Sequence, residues 1–392
     1  MILELVGFAG LTLSLVSFGT AAIARARHRR AKPPVEFETL PGVSIVKPLS
    51  GLDDDLAENL ASFYRLDYPV YEIVFSFARS TDPSFPIARR VADAHPSVRT
   101  VFVFDAAEAG LNSKVNRLSA GMKRARHALV LLSDGNVRVR PEYLRAMVGH
   151  FSDPRVGLVS SPFSARGAVT MASRIESLYL NGFLQACTAL LAGPLRQPCV
   201  VGKSILVTRE ALLSIGGLEI LRDHLAEDFL LGEAVARGGF EVRLASEEVA
   251  TAEVCKSGRA VWGRHRRWAI LRARLAGPRY AAESLASPMR WFLLAIAGSS
   301  GNAPALTAAA SLWAGRIALE AALAADAKRP MNAADFLLAF VRDVAVAALF
   351  WAGLFGHRTR WRGRLLHVGR RSLLRPIVEP IPARMALGPR TA

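Results

Sequence analysis

Hydrophobic and polar positions fall into three regimes along the 392-residue chain. Residues 2–24, ILELVGFAGLTLSLVSFGTAAIA, carry a single charge and are long enough to cross a bilayer. From about residue 40 to 285 the pattern is that of a sheet domain. The runs VSIVKPL, YEIVFSFA, RTVFVFD and ALVLLSDG are short, β-rich and bounded by turn residues, with the helical patterns DLAENLASFYRL and PIARRVADAH between them. Alternation of this kind predicts an α/β fold with a mostly parallel sheet, whose ligands bind beyond the carboxyl ends of the strands.

From Met289 the chain turns apolar again. WFLLAIAGSSGNAPALTAAASLWAGRIALEAALAA is broken by GSSGNAP and predicts two short segments, and residues 334–356 predict a third. Arg342 and Asp343 lie inside that third segment, where charge must be paired or face a cavity. The expected organisation is therefore an N-terminal transmembrane anchor (1–28), a catalytic-looking domain (40–285), C-terminal transmembrane helices (286–356) and a basic tail (357–392). Four crossings would put both termini and the domain on one side of the membrane.

Charge sets the orientation. ARARHRRAK follows the first apolar run, which predicts a cytosolic domain behind an uncleaved anchor, since a signal peptide carries its positive charge in front. The net charge of +17 and the pI near 10.7 suit either a nucleic acid or an anionic membrane surface. A mean hydropathy of +0.24 is high for a soluble nucleic-acid binder and favours lipid. Cys187, Cys199 and Cys255 lack metal-ligand spacing and read as packed, reduced thiols.

Three acids stand where a sheet enzyme keeps its site: Asp82 after the second strand run, Asp134 opening the turn DGN, and Asp228 before the helical pattern LLGEAVARGGF. Each alone equally suits a turn or a helix cap. Their order, followed by Arg264-His-Arg-Arg267-Trp268, resembles lipid-acceptor glycosyltransferases with three aspartates and a (Q/R)xxRW motif. The agreement is closer with glycosyltransferase family 21, the ceramide glucosyltransferase family. LPGVSIVKPLSGLDDDLAENLASFYRLDYPVYEI, GLNSKVNRL, DGNVRV, the Cys199-Val-Val-Gly segment, AEDF and RHRRW are similar to its successive blocks, and FVRD and WRGR to its C-terminal end.

The resemblance implies a GT-A nucleotide-diphospho-sugar transferase fold flanked by transmembrane helices. It also implies an inverting enzyme that moves a hexose, glucose above all, from a UDP-sugar to a membrane lipid hydroxyl such as that of ceramide. Asp82 would then serve nucleoside recognition, with Asn112 and Lys114 positioning the nucleotide. Asp134 ends a strand in a tight turn, suited to a divalent cation (Mg2+ or Mn2+) held together with substrate phosphates. That turn has one acid only, Asn136 standing where relatives have a second. Asp228 is the expected general base, with the adjacent Glu227 as an alternative.

Arg264 and Arg267, three apart on one helix face, are expected to reach the diphosphate, with Trp268 beside the sugar or acceptor. Arg266, Arg272 and Arg274 are expected to meet anionic headgroups of the membrane surface. No interleaved aromatics or recognised motif point to nucleic acid. The expected location is a multi-pass position in a bacterial inner membrane.

Two departures bear on the acceptor. LNGFLQACTALLAGPLRQP lacks a histidine found in eukaryotic ceramide enzymes, and Lys203 in VVGKS is unlike those members. They leave a hopanoid lipid glycosyltransferase open as an alternative. A catalytically silent protein that binds lipid or nucleotide is a further alternative, against which stands the intact set of site residues.

Overall fold

The computed structural model describes residues 2–31, 37, 39–361 and 363–377. Most of the linker KPPVEFETLPG, Arg362 of the WRGR run and tail residues 378–392 lie outside them.

After helix α1 (Ile2–Arg29), the four runs read from sequence form parallel strands β1 (Val43–Pro48), β2 (Tyr71–Phe77), β3 (Arg99–Phe104) and β4 (Leu129–Ser133). Helices α2 (Leu56–Ala61), α3 (Phe85–Asp93) and α4 (Ser113–Met122) make the crossovers. Next come the two-residue β5 (Val137–Arg138), α5 (Tyr143–Gly149), β6 (Val156–Ser160) and β7 (Phe163–Arg166). Helix α6 (Met171–Leu178) continues through a π-helical stretch, Tyr179–Leu184, into α7 (Gln185–Ala192). Then follow β8 (Ser204–Thr208), α8 (Arg209–Ser214), α9 (Glu227–Arg237), β9 (Glu241–Leu244), β10 (Val249–Ala252) and the long α10 (Gly258–Ala276).

The main sheet has seven strands in the order β3-β2-β1-β4-β8-β6-β9, and only β8 runs against its neighbours. Its strands are apolar on both faces because both are covered. Ile45, Ile73, Phe75 and Leu131 enter one buried cluster, while the alternate residues Val46, Val74, Val130 and Leu132 enter the cluster on the other side. A second sheet, β5-β10-β7, stands beside it. The strand order reverses at β1, which pairs with β2 on one side and β4 on the other. The crevice beyond the carboxyl ends of β1 and β4 is thus the place for a ligand.

The apolar C-terminal third forms α11 (Pro288–Gly298), α12 (Ala303–Asp326) and α13 (Ala333–Phe355). Among the described residues three helices are long and apolar enough to cross a membrane: α1, α12 and α13. The fourth expected crossing is not among them. At 1.5 Å per residue the 11 residues of α11 reach roughly 16 Å, about half of a bilayer core. Helix α11 instead lies against α1 at van der Waals range, where Gly7 faces the backbone of Ala295 and Gly298 that of Glu4. A side chain at either glycine would collide with main chain, and small residues commonly permit such close helix packing.

Helix α13 meets the condition set for its charges. Arg342 binds Glu320 at 2.6 Å and Asp343 at 2.8 Å, all buried. Both ends of α13 are fastened to the sheet domain or its α10. Arg174 of α6 binds Asp335 at 2.7 Å near the start, and Arg274 of α10 donates to the Gly356 carbonyl at the end. Its outer face exposes Leu337, Val341, Val344, Trp351 and Phe355.

The tail is more than a basic extension. Its described part forms an antiparallel sheet, β11 (Arg358–Trp361), β12 (Arg364–Val368) and β13 (Leu374–Pro376). That sheet docks onto the loop before α9, with Leu374 N–H donating to the Asp223 carbonyl at 2.7 Å. Of the thiols, Cys187 and Cys199 are partly covered, whereas Cys255 is exposed and not packed as expected.

Candidate functional site

Asp134 follows β4 at the mouth of the crevice. Its Oδ1 lies 2.9 Å from Lys114 Nζ and its Oδ2 3.3 Å from Lys203 Nζ. Lys203 also donates to Asn136 Oδ1 at 3.0 Å, so both residues of the turn that bear side-chain oxygens face one ammonium. Burial alone would raise the Asp134 carboxyl, but Lys114 and Lys203 hold it below its ordinary range.

The turn is fixed from beneath by Lys47 of β1, which is fully buried. Its Nζ donates to Ser133 Oγ at 3.1 Å and to the Asp134 carbonyl at 2.9 Å, and stands 3.5 Å from the Phe63 ring centroid. Burial pulls Lys47 down to about 7 despite the nearby Asp134 and Asp53. Sequence reasoning missed both Lys47 and Asp53. Lys47 sits in a hydrophobic strand with nothing local to single it out, and Asp53 is one of three consecutive aspartates.

Lys114, on the first turn of α4, ties this turn to the next element. Besides Asp134 it binds Glu227 Oε1 at 3.0 Å and donates to the Gly202 carbonyl at 2.9 Å. Burial disfavours its charge, yet Asp134 and Glu227 outweigh that and hold it well above its ordinary value. Asn112 is the α4 N-cap, accepting from the Lys114 and Val115 amides, while its amide nitrogen donates to the His224 carbonyl at 2.7 Å. Its side chain is wholly committed to joining α4 to the loop before α9. The geometry makes it a bracket for Lys114.

Asp228 lies in the first turn of α9, accepting from the Phe229 amide at 2.8 Å. Gly202 passes so close that a Cβ there would stand 2.4 Å from Asp228 Oδ2. Burial first, and the adjoining Glu227 second, push the Asp228 carboxyl up to about 6. The tail sheet helps to hold this acid, since Ser372 Oγ accepts from the Ala226 amide at 3.1 Å. Asp134, Lys114, Glu227 and Asp228 together line a cavity of about 20 Å³, room for roughly one water molecule.

The two arginines of RHRRW differ. Arg264 places its fork on the buried Glu253, Nη1 to Oε1 at 2.9 Å and Nη2 to Oε2 at 3.1 Å, and Nη1 also lies 3.2 Å from Glu176. The expectation that it reaches a diphosphate is therefore revised: its bidentate valence is already used, and it anchors α10 to β10 and α6. Arg267 makes no hydrogen bond or salt bridge among the described residues. Burial and the like charge of Arg264 pull it down to about 10, with Glu227 opposing them. Trp268 packs half-buried against the core, 5.1 Å edge-on from His265.

The three cations of α10 expected at headgroups, Arg266, Arg272 and Arg274, make contacts within the protein. Arg272 binds Glu283 at 2.8 Å, Arg274 binds the Gly356 carbonyl and Arg266 the Arg358 carbonyl. Asp82 stands apart from the Lys114 network. It accepts from the Gly51 amide at 3.0 Å and from Ser84, pinning the β1–α2 loop to the end of β2. Gly51 adopts a φ of 72°, which favours glycine in that loop.

No three acidic, histidine or cysteine side chains form a ready-made metal cage among the described residues. Asp134 and Asn136 offer hard oxygen donors of the kind Mg2+ and Mn2+ accept. With two ammonium groups already on Asp134, that set fits a cation that arrives with further anionic ligands.

Residues 9–374 match the family described as glycosyl transferase family 21. Ceramide glucosyltransferase 1 of Caenorhabditis elegans is 27% identical over 64% of this chain and 53% of its own length, and ceramide glucosyltransferase 3 of that organism 27% over 69% and 59%. The chain thus spans little more than half the length of these relatives. Among solved structures, mannosyltransferase PcManGT from Pyrobaculum calidifontis, in complex with GDP-Man and Mn2+, superposes with a TM-score of 0.51 at 21% identity. The superposition covers 90% of this chain and 99% of that one, and shows a shared fold. The chain belongs to glycosyl transferase family 21.

Proposed function

We propose that the protein transfers a hexose, glucose above all, from a UDP-sugar to a membrane lipid hydroxyl, that of ceramide in the first instance. The observation that carries this reading is the convergence at the β1/β4 crevice. Lys114 bridges Asp134 to Glu227, Asp228 adjoins them with a carboxyl pushed up to about 6, and Arg267, its fork uncommitted, lies within reach of the Glu227 charge.

Asp228 takes the proton of the lipid hydroxyl as its oxygen bonds to the anomeric carbon. The bond from that carbon to the diphosphate breaks on the opposite face, so configuration inverts and UDP departs with the electron pair. A carboxylate that titrates near the working pH suits this exchange. Negative charge grows on the leaving diphosphate, and Arg267, Lys114 and Lys203 are the cations to meet it. Asp134 and Asn136 would hold a divalent cation, Mg2+ or Mn2+, which when bound adds positive charge at the diphosphate. Asp82 is assigned to the nucleoside end, and Trp268 to the sugar or acceptor side.

The basic end of α1 touches the sheet domain, His28 Nε2 lying 2.8 Å from the Ala245 carbonyl, which supports a cytosolic domain. With both ends on the domain side and an exposed apolar face, α13 suits a position along the membrane surface. The active-site domain then rests on the bilayer, where a lipid hydroxyl can reach it. Membranes containing the protein, incubated with labelled UDP-glucose, UDP-galactose and UDP-N-acetylglucosamine and with ceramide or a hopanoid, test the reading. Labelled glucosylceramide identified by mass spectrometry is the expected product. Absence of any labelled lipid from all three donors overturns it.

A further inference from the structure

A cavity of about 280 Å³ opens on the far side of α6 from the RHRRW motif, between the anchor and the sheet domain. It is lined by Arg25 of α1, Arg166 of β7, Arg174 of α6 and Arg329 of the α12–α13 loop, with Glu320 and Asp335 as its acids. Arg25 is only 3% exposed, and none of its three guanidinium nitrogens has a hydrogen-bond partner among the described residues.

The neighbouring charges are accounted for otherwise. Asp335 is held by Arg174, Glu320 by Arg316 and Arg342, Glu248 by Arg329, and Asp326 by Arg29 and Arg30. A buried guanidinium with no partner among the described residues, on a side chain that lines a cavity, is costly to the fold unless an anion completes it. Arginine forks match the oxygens of phosphates, as of carboxylates, in bidentate geometry. The volume falls just below the roughly 300 Å³ at which small-molecule pockets begin, enough for a headgroup phosphate and too little for a whole lipid. The cavity also lies at the basic end of α1, the level at which headgroups stand.

We propose that this cavity binds the phosphate of a membrane phospholipid through Arg25, as a site separate from the one that transfers sugar. Its occupant seats the anchor against α6, whose Glu176 on another face holds Arg264 and His265. The proposal does not depend on the transfer reaction, because its test reads binding alone.

The full-length protein is placed in a neutral maltoside detergent, which carries no phosphate, alone or with phosphatidylglycerol added, and its thermal midpoint is measured. Phosphatidylglycerol should raise the wild-type midpoint by about 5 °C, as expected of a ligand well above its dissociation constant. Arg27→Gln, which removes an exposed charge at the same level, should keep that rise. Arg25→Met should lose the rise and be no less stable than wild type in the detergent alone, since it removes an unpaired charge. Titration with inorganic phosphate in neutral detergent separates the sources. An Arg25-dependent rise there assigns the site to free phosphate, and no rise assigns it to the lipid. Equal responses to phosphatidylglycerol in wild type and Arg25→Met, with none to phosphate, overturn the site. So does a loss of stability in Arg25→Met in the detergent alone, which would mean that Arg25 is already paired.

Discussion

Two clusters of two cations and two acids sit in this molecule, and they differ in one respect. At the crevice, Lys114 and Lys203 meet Asp134 and Glu227, with side chains 14–24% exposed. Between α12 and α13, Arg316 and Arg342 meet Glu320 and Asp343, with side chains 2–3% exposed. The second cluster is closed. Arg342 spends its nitrogens on two carboxylates, and Trp313 Nε1 donates to Asp343 at 3.0 Å. The first is open, with the Asp228 carboxyl pushed up to about 6 beside it and Arg267 uncommitted. Equal charge inventories therefore serve different ends: a closed cluster fixes two helices, and an open one keeps capacity for a ligand.

The largest effect should come from the open side. Asp228→Asn keeps a side chain able to sit in the first turn of α9 but removes the proton acceptor. Transfer to lipid should fall about 10²–10⁴-fold while donor affinity, read by calorimetry, is retained. In wild type, kcat/KM should decline as pH drops through about 6, where Asp228 takes up its proton, and the residual rate of the variant should lack that limb. Near wild-type transfer would make Asp228 a cap and pass the role to Glu227.

The closed cluster should respond in stability. Arg342→Met leaves Glu320 and Asp343 short of a partner in a buried place, at an expected cost of about 3–5 kcal/mol in denaturant unfolding. Lys203→Met, in the open cluster, should cost about 1 kcal/mol or less, because water reaches the carboxylate it leaves behind. Equal losses for the two variants would erase the distinction between the clusters.

Much of this was legible in the chain, for local reasons. Strands β1, β2 and β4 declare themselves because both faces of the sheet are covered there, so Leu129–Ser133 is a nearly continuous apolar run. Asp134, Lys114 and Asp228 were legible as residues because each sits where a strand or helix begins or ends. What was not legible depends on distant partners. That Glu253 occupies the fork of Arg264, that Lys47 supports Asp134 and that Ser372 braces the turn before Asp228 are facts about residues 11, 87 and 146 positions apart. Among the described residues the membrane count came out one short because α11 has only 11 residues and packs against α1, a contact that hydropathy does not reveal.

The two arginines sharpen the comparison within one helix. Arg267→Lys keeps the charge and loses the fork, so turnover should fall roughly 10–100-fold with donor binding changed much less. Arg264→Lys breaks a bidentate pair with buried Glu253, and should lower the thermal midpoint as well as activity. A reversal of these two patterns would reassign the diphosphate contact to Arg264.

At Lys47 the sign of the effect is the informative part. Its folded-state value of about 7 lies below the ordinary 10.5, so between those limits the unfolded chain binds more protons than the folded one. Stability contributed at this position therefore rises with pH from about 7 to 10.5, by at most about 1.4 kcal/mol per pH unit, and is flat below 7. Lys47→Met removes the titration, so the wild-type midpoint should climb relative to that of the variant as pH is raised from 7 to 9. Below pH 7 the variant should be at least as stable, since a buried ammonium is replaced by an apolar chain of similar length. It should nevertheless lose activity, because the Asp134 carbonyl and Ser133 hydroxyl lose their support. A variant that is less stable at every pH and loses no activity would place Lys47 with the closed cluster, as a structural charge that happens to lie under the crevice.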